Sequence, residues 1–452
     1  MSHALLQDRI LLLLLPLLFL LLLNRASIAP KPLLSPIETM ANSTAPIAAQ
    51  AAGRTGISPR LLAWSSLVVV VTSTIQLSRA PKTAPKAVAA AVLLAGCVLV
   101  VLGATVPFLW EDRPFFNIMT NFHLSMFLLR GFEVFFSGKV FTARPEDDDK
   151  VHPLGETVSV FMNQRKVGLP YQVKKLAPFS YADRTWVPGR ARFLLTLAAR
   201  LALFWLLIDA FEHASGEPDA ALFAEERTHF FSRLGEVTAE QVQQAMAGTA
   251  MNWVLAYIII TIQADAWQLG GTLVGAYRPA DCPPMFGRPR DAYSVRQFWG
   301  TAWHQQLRFL ADIAEYAVND VLRVRRGTLV SRYGRMYATF MLSGALHVAG
   351  EMATFSGRTW ADSHSFWFFH MQWLAIVIED AAQALYRRAT GRAKRADGDE
   401  PALWERLAGY VWTFVWLSYT TPRYAYPAAR HPTPGICATV FDPIGLYLKR
   451  RT

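Results

Sequence analysis

The chain has 452 residues, of which 52% are hydrophobic and only 17% are charged, and it holds 14 Trp and 28 Phe. An ordinary soluble domain carries about 25% charged residues, so this composition excludes a water-exposed surface of normal polarity. Several continuous apolar runs approach the roughly 20 residues that cross a bilayer. They do not alternate as the strands of a membrane barrel do. The composition predicts an all-α polytopic membrane protein with eight to nine transmembrane helices.

A net charge of +11 could suggest nucleic acid, but Lys and Arg also collect in the cytoplasmic loops of membrane proteins. We therefore expect no nucleic-acid partner. The three cysteines, Cys97, Cys282 and Cys437, are odd in number and have no CxxC spacing. This pattern argues against a disulfide framework and against a cysteine zinc site. No metal is expected.

Residues 1–24 contain a long leucine run. We interpret it as a retained anchor in preference to a cleaved signal peptide, because the leucine core is poorly matched in length and the cleavage site is imperfect. Residues 25–60 are rich in Pro, Ala and Ser and are predicted to be a disordered lumenal linker. Asn42 in this linker begins the N-x-S/T sequon Asn42-Ser43-Thr44 and is a glycosylation candidate.

Residues 61–452 are predicted to form the membrane domain, with the sequence motifs concentrated in residues 293–380. Phe115–Phe136 is the least apolar segment and either crosses the membrane or re-enters it from one side. The apolar segments of this domain are, in chain order, Leu61–Leu77, Ala87–Trp110, Phe115–Phe136, Phe193–Phe211, Met251–Leu273, Met336–Phe355, Phe366–Tyr386 and Leu403–Thr420.

The charges between these segments fall into two groups. Gly138–Arg192 and Val274–Arg335 each hold ten Lys or Arg, whereas Glu212–Gly248 holds two Arg against seven acids. Positively charged loops stay in the cytosol. The two basic loops are therefore predicted to be cytosolic, and the acidic loop and Asn42 lumenal.

The basic loop Val274–Arg335 contains an aromatic and amide-rich stretch, YSVRQFWGTAWHQQLR. A continuous helix over Gln297–Leu310 would put its indoles on one face and an imidazole and a guanidinium on another. Indoles suit the headgroup level of a bilayer, and a guanidinium binds phosphate in a bidentate manner. The stretch is either a dock for a phosphorylated acyl carrier such as coenzyme A or an interfacial helix without a chemical role. Its candidate side chains are Trp299, Trp303, His304 and Arg308.

His347 lies alone in the apolar segment LSGALHVAG, with Ser343 and Gly344 within one turn. Ionisable side chains inside membrane segments are costly and mark functional sites. An apolar environment favours the neutral imidazole, which can accept a proton from a hydroxyl group. Glu351, one turn further on, could orient the ring. The alternative is a histidine that only holds two helices together through a hydrogen bond.

The following apolar segment carries Gln372, Glu379 and Asp380, and the first two share a helix face. Acids at this depth should face protein or a cavity, which makes them substrate-binding candidates. The alternative is a structural acid pair near the interface that is partnered by Arg387 and Arg388. The chain has no GxSxG, GxxxxGK[ST], GxGxxG or HExxH motif, so hydrolase, nucleotide-binding and zinc-protease functions lose their usual support.

The motif residues resemble the wax synthase-like branch of the membrane-bound O-acyltransferases, whose loop motif is of the type FWGRxWHQ. His347 matches the membrane histidine that is usually interpreted as catalytic in that family, and His304 lies where related enzymes carry Asn or His. Thr301-Ala302 replaces the basic pair that is usual in the loop motif. The matching stretches are Leu129–Phe132, Phe298–Gly300, Trp303–Arg308 and Phe369–Asp380.

The resemblance implies a fold of the membrane-bound O-acyltransferase type and transfer of an acyl group from acyl-CoA, most simply acetyl-CoA, to an alcohol. The branch includes fungal enzymes that acetylate terpenoid and meroterpenoid metabolites. The expected location is the endoplasmic reticulum, with the lipid bilayer, acyl-CoA and a hydrophobic alcohol as partners and no bound cofactor. A long-chain wax-ester or sterol-ester synthase is the nearer alternative, and a non-enzymatic transporter is the more distant one.

The resemblance also assigns roles to residues. His347 and His304 are the expected catalytic residues, with His347 as the general base. The expected contacts to acyl-CoA and to the alcohol come from Trp299, Trp303, Arg308, Ser343, Gln372 and Glu379.

Overall fold

The computed structural model of the protein describes residues 163–215, 219–352, 363–391, 401–430, 436–437 and 441–449, and single positions between 119 and 133. The regular secondary structure in this part of the chain is all helical, with no β-strand, as the composition predicted. The anchor at 1–24, the linker at 25–60 with Asn42, and the predicted segments Leu61–Leu77 and Ala87–Trp110 lie outside the described residues.

Eight α-helices organise this part of the chain. They are α1 (Arg190–Ser215), α2 (Ala239–Leu273), α3 (Val295–Gln297), α4 (Leu310–Glu315), α5 (Leu329–Met352), α6 (Ser365–Thr390), α7 (Leu403–Ala429) and α8 (Pro443–Lys449). The chain divides into two compact units. The first unit comprises residues 1–164 and 309–366, and the second comprises residues 165–308 and 367–452.

In the second unit, α1 and α2 form an antiparallel pair. Arg190 at the start of α1 donates to the carbonyl oxygen of Thr272 at the end of α2, at 3.0 Å. Near the middle of the pair, Arg200 binds both carboxylate oxygens of the buried Asp265 at 2.5 Å. A paired acid is what an apolar helix can accommodate. Among the described helices, these two are long and apolar enough to cross a membrane.

Helix α2 begins earlier than the apolar pattern predicted, at Ala239 instead of Met251. The hydroxyl of Thr238 accepts a hydrogen bond from the backbone N–H of Gln241 at 3.2 Å, which caps the first turn. Polar residues follow this cap, so hydrophobicity alone could not show the start of the helix. The total of eight to nine crossings stays a prediction.

Helix α7 contacts a different loop near each of its ends. Near its start, Arg406 donates to the carbonyl oxygen of Arg290 in the basic loop at 3.2 Å. Just past its end, Arg430 lies 3.7 Å from Glu225 in the acidic loop. The basic and acidic loops therefore meet opposite ends of this helix, and their placement on opposite sides of a membrane stays a prediction.

The prediction that the last apolar segment ends at Thr420 was wrong, because α7 continues to Ala429 through Pro422 and Pro427. A proline inside a helix removes a backbone hydrogen bond and costs about 3 kcal/mol. Packing holds this end of the helix: the ring of Tyr424 stacks on Phe368 with a centroid distance of 4.7 Å.

The first unit contains α4, a π-helical stretch at Tyr316–Val321 and α5. The side-chain amide of the buried Asn319 donates to the carbonyl oxygen of Val324 and to the hydroxyl of Ser331, both at 2.7 Å. These two bonds close the turn that leads into α5, the helix that carries His347.

The upstream element that contributed to the family resemblance also lies in the first unit. Arg130 is fully buried, forms an ion pair with Glu133, and donates to the carbonyl oxygen of Asn163 at 3.2 Å. Its guanidinium lies over the ring of Phe309, 6.0 Å from the centroid. Arg130 is therefore a structural centre of this unit.

Candidate active site

The motif stretch is not the continuous helix predicted over Gln297–Leu310. The α3 turn passes into a π-helical turn at Phe298–Ala302, Trp303 is extended, and a 3₁₀ turn follows at Gln306–Phe309. The N–H of Trp303 donates to the carbonyl oxygen of Phe298, five residues earlier, at 2.7 Å. His304 and Arg308 therefore do not share one helix face, and that prediction was wrong. Single π-helical turns recur at functional sites.

A neighbouring loop breaks the helix. The N–H of Gly287 donates to the carbonyl oxygen of Ala302 at 3.0 Å, and the N–H of Gln305 donates to that of Met285 at 3.4 Å. A Cβ on Gly287 would collide with the backbone carbonyl of Thr301. Only glycine lets the loop come this close to the motif stretch. The carbonyl of Ala302 and the N–H of Gln305, which a continuous helix would pair internally, therefore bind the loop.

Arg165 holds that loop from the other side. Its guanidinium is buried and donates to the carbonyl oxygens of Pro284 at 2.7 Å and Pro283 at 2.5 Å. Burial lowers the pKa of Arg165 to about 10. The segment that follows Arg165 also binds the motif stretch directly. The side-chain amide of Gln305 donates to the carbonyl oxygen of Lys175 at 3.1 Å. Sequence reasoning missed Arg165, because its partners are backbone carbonyls that leave no pattern.

An aromatic cluster surrounds the π-helical turn. Trp253 of α2 lies at its centre, with ring-centroid distances of 5.4 Å to Phe298, 5.8 Å to Trp299 and 4.7 Å to Trp303. All three contacts are edge-to-face, the geometry that contributes about 0.5–1.5 kcal/mol per pair beyond burial. Trp303 is only 8% exposed. The cluster fixes the two predicted indoles in place.

His304 packs edge-on against Phe286 at 5.9 Å and lies 5.7 Å from the ring of Trp303. Arg308 reaches back across the break in the helix and donates to the carbonyl oxygen of Gly300 at 2.6 Å. Burial lowers the pKa of Arg308. Its Nε is buried and has no hydrogen-bond acceptor among the described residues. Arg308 thus bridges the two ends of the motif stretch, and its Nε–H can still donate to a further acceptor.

Gln372 and Glu379 on α6 bind the motif stretch. Gln372 is fully buried, accepts a bond from the indole N–H of Trp299 at 3.3 Å, and donates to the hydroxyl of Thr420 at 3.1 Å. Glu379 accepts bonds from the backbone N–H groups of Val295 at 2.5 Å and Arg296 at 3.1 Å. Gln372 and Glu379 therefore use the helix face that they were predicted to share to bind the motif stretch.

A third N–H group donates to the carboxylate of Glu379. The indole N–H of Trp412 on α7 bonds to the same carboxylate at 2.9 Å. The neighbouring Asp380 forms an ion pair with Arg296 at 2.6 Å. The carboxylate caps α3 at its first N–H groups, where negative charge is favoured. The acid pair thereby connects α3, α6 and α7.

His347 lies in the first unit, inside the regular helix α5. Its Nδ1 is 2.7 Å from the carbonyl oxygen of Ser343, one turn earlier. A carbonyl only accepts hydrogen bonds, so Nδ1 carries the proton and Nε2 carries the lone pair. The ring of Phe122 packs edge-on against the imidazole at 5.2 Å. A neutral ring held in this tautomer can accept a proton at Nε2.

The small residues near His347 serve helix packing. A Cβ on Gly344 would lie 3.1 Å from the ring of Phe366, so glycine lets that ring approach α5 closely. Glu351 accepts a hydrogen bond from the hydroxyl of Ser365. His123, which sequence reasoning missed, packs edge-on against Phe122 at 5.9 Å. Phe122 therefore contacts two histidines.

The predicted site residues divide between the two units. His347 and Ser343 belong to the first unit, and the second unit contains the other six, which are Trp299, Trp303, His304, Arg308, Gln372 and Glu379. The second unit brings Trp299 together with Gln372, and α3 together with Glu379. The predicted joint action of His304 and His347 stays a prediction.

These features define a helical protein with apolar helices of membrane-spanning length and a conformationally irregular aromatic–histidine motif. A model of the membrane bound O-acyl transferase family matches residues 282–371, a range that includes His304 and His347. The acetyltransferase aurG of Calcarisporium arbuscula is 32% identical over 270 residues, which cover 59% of this chain and 64% of that protein.

Two further relatives agree. The acetyltransferase pyr8 of Aspergillus fumigatus is 30% identical, with 65% of this chain and 69% of that protein covered. The acetyltransferase TRI7 of Fusarium sporotrichioides is 30% identical, with 64% and 66% covered. The chain thus spans about two thirds of the length of these relatives. It belongs to the membrane bound O-acyl transferase family. No solved structure matches it.

Proposed function

We propose that the protein transfers an acetyl group from acetyl-CoA to a hydroxyl group on a hydrophobic metabolite of the terpenoid or meroterpenoid class, in the endoplasmic reticulum membrane. The acetyltransferase names of the relatives support the transferred group. The observation that carries the chemistry is the imidazole of His347, held by the Ser343 carbonyl oxygen in the tautomer that a general base needs.

The proposed reaction needs no covalent acyl-enzyme. Nε2 of His347 takes the proton of the acceptor hydroxyl as its oxygen attacks the thioester carbonyl. The tetrahedral intermediate then expels the thiolate of coenzyme A and leaves the acetate ester. The imidazolium returns its proton to the thiolate, so the enzyme ends in its starting state. His304 is proposed to position the thioester or to stabilise the oxyanion.

The motif stretch is proposed to bind the acyl carrier. Arg308 is the candidate for the carrier phosphates, because its buried Nε has no acceptor among the described residues and a guanidinium favours phosphate. Trp299 and Trp303 are proposed to form an apolar wall near the thioester. Gln372 acts through Trp299, and Glu379 acts through the start of the motif, so both are positioning residues in this proposal. Ser343 acts through His347.

The proposal is tested by adding isotopically labelled acyl-CoA of several chain lengths, with a panel of terpenoid, sterol and fatty alcohols, to microsomes that contain the protein. Mass spectrometry then identifies the ester. Acetyl esters of a terpenoid alcohol support the proposal. Preferential formation of long-chain esters would identify a wax-ester or sterol-ester synthase instead. If no ester forms while an alcohol crosses the membrane, the protein is a transporter and the proposal fails.

A further inference from the structure

A cluster of three ligand-type side chains lies at the end of α1, in the second unit. Asp209 and His213 are one helical turn apart, and Asp442 immediately precedes α8. One ligand atom from each residue lies within 4.8 Å of the others. A carboxylate and an imidazole at i and i+4, completed by a second carboxylate from the residue before another helix, form a set that suits a borderline metal ion.

The imidazole of His213 is oriented as in a metal ligand. Its Nδ1 is 2.9 Å from the backbone carbonyl oxygen of Asp209. Since a carbonyl only accepts, Nδ1 carries a proton, and Nε2 is the nitrogen that could bind an ion. Ligating histidines commonly donate their other N–H to a carbonyl or carboxylate, which fixes the tautomer and the ring orientation. Here Nε2 faces Asp442, 3.5 Å from its Oδ1.

That distance suits two ligands of one ion. An N···O hydrogen bond is about 2.7–3.2 Å long, so 3.5 Å is too long for a good one. Two ligands bonded to Zn²⁺ at about 2.0–2.1 Å with tetrahedral angles are about 3.3 Å apart. Nε2 of His213 and Oδ1 of Asp442 are thus spaced for an ion between them.

A second observation, separate from the spacing of His213 and Asp442, is the buried carboxylate of Asp209. Its side chain is 0% exposed. Oδ2 accepts the backbone N–H of Ile444 at 2.9 Å, whereas Oδ1 has no hydrogen-bond donor among the described residues. This atom points into the cluster, 3.5 Å from Nδ1 of His213. A buried carboxylate oxygen without a donor is costly, and a cation would remove that cost.

We propose that Asp209, His213 and Asp442 bind one Zn²⁺ ion. The side chain of His213 is 33% exposed, so water can reach the ion and supply a fourth ligand. The ion would tie the segment before α8 to the end of α1. The site contains no cysteine, which is why the expectation of no metal, based on cysteine spacing, did not address it. The proposal is independent of the acetyl-transfer reaction.

The test uses the full-length protein, purified in detergent, stripped with a chelator and titrated with Zn²⁺. Metal content is measured by mass spectrometry, and affinity is measured by competition with a chromophoric chelator. One ion per chain is expected. Asp209→Asn and Asp442→Asn keep an oxygen for the N–H groups of Ile444 and Gly445, so the helix caps remain. Each should weaken Zn²⁺ binding by more than about 100-fold, because loss of an outer-shell partner alone costs 10–100-fold.

The matched control is His229→Gln, a histidine in the acidic loop outside the cluster, which should leave the affinity unchanged. The X-ray absorption spectrum of Zn²⁺ bound to the unmodified protein, including its fine structure, gives the ligand types and distances without relying on the folding of variants. An imidazole and carboxylate oxygens at about 2.0–2.1 Å are expected. Absence of binding, a sulfur ligand, or affinity unchanged in both Asn variants would overturn the proposal. The cluster would then be a hydrogen-bonded imidazole between two acids.

Discussion

The motif stretch and the helix that carries His347 place their functional side chains in opposite ways. Around Trp299 and His304 the backbone leaves the α-helical path, and partners from three other regions hold it: Gly287, Lys175 and Glu379. His347 instead sits in an uninterrupted helix, and its Nδ1 lies 2.7 Å from the carbonyl oxygen of Ser343 in the preceding turn. The path of the motif should therefore depend on remote residues, whereas the tautomer of His347 is set by its own helix.

The largest effect is expected for His347→Ala. Loss of a general base costs about 10²–10⁴-fold in rate, so ester formation in microsomes should fall by at least about 100-fold. The protein level should stay unchanged, because the helix does not depend on the imidazole. His229→Ala is the control, since it removes a histidine far along the chain from either motif. Near-normal turnover in His347→Ala would contradict the role of His347 as base.

Glu379→Gln should have the next largest effect, and it tests whether remote residues hold the motif. The amide cannot accept the bonds from Val295, Arg296 and Trp412 as a carboxylate does. Hydrogen bonds to a charged group contribute about 1.5–3 kcal/mol each, so the melting temperature in detergent should fall clearly, together with activity.

Asp380→Asn is the matched control for Glu379→Gln. Its ion pair with Arg296 is partly exposed and should contribute at most about 1 kcal/mol. Equal losses of melting temperature and activity in the two variants would show that Glu379 does not have the specific holding role inferred from its three donors.

His304→Asn tests whether His304 of the motif stretch only positions the substrate, while His347 transfers the proton. Asn keeps a hydrogen-bond donor but cannot transfer a proton, so a positioning residue should retain partial activity, roughly one tenth. Removal of a donor to an oxyanion costs about 10²–10³-fold, which sets the lower limit. The measurement is kcat and KM for acetyl-CoA. Complete loss at unchanged protein level would assign proton transfer to His304.

The smallest effect is expected for Trp299→Phe. The ring stays apolar and keeps its packing against Trp253, but the bond to Gln372 is lost. A neutral hydrogen bond contributes about 0.5–1.5 kcal/mol, so KM or kcat should change only a few-fold. Gln372→Ala should cost more, because it also removes the bond to Thr420, and the double variant should be no worse than Gln372→Ala alone. Additive losses would show that the two residues do not act through one another.

Much of the fold could be read from the sequence, because apolar helices of membrane length are a local property. The segments Phe193–Phe211 and Met251–Leu273 lie within α1 and α2. The start of α2 could not be read, since Thr238 caps a polar turn. The continuation of α7 past Thr420 depends on packing that overrides its prolines.

The sequence by itself determined the class of protein and the candidate side chains, since composition and short motifs are written along the chain. Only the tertiary structure decided the path of the motif and the task of Glu379. An N–H bonded five residues back and a carboxylate that caps α3 from α6 depend on which segments meet in space. The same holds for Asp209, His213 and Asp442, which share no motif and become a ligand set only because α8 packs at the end of α1.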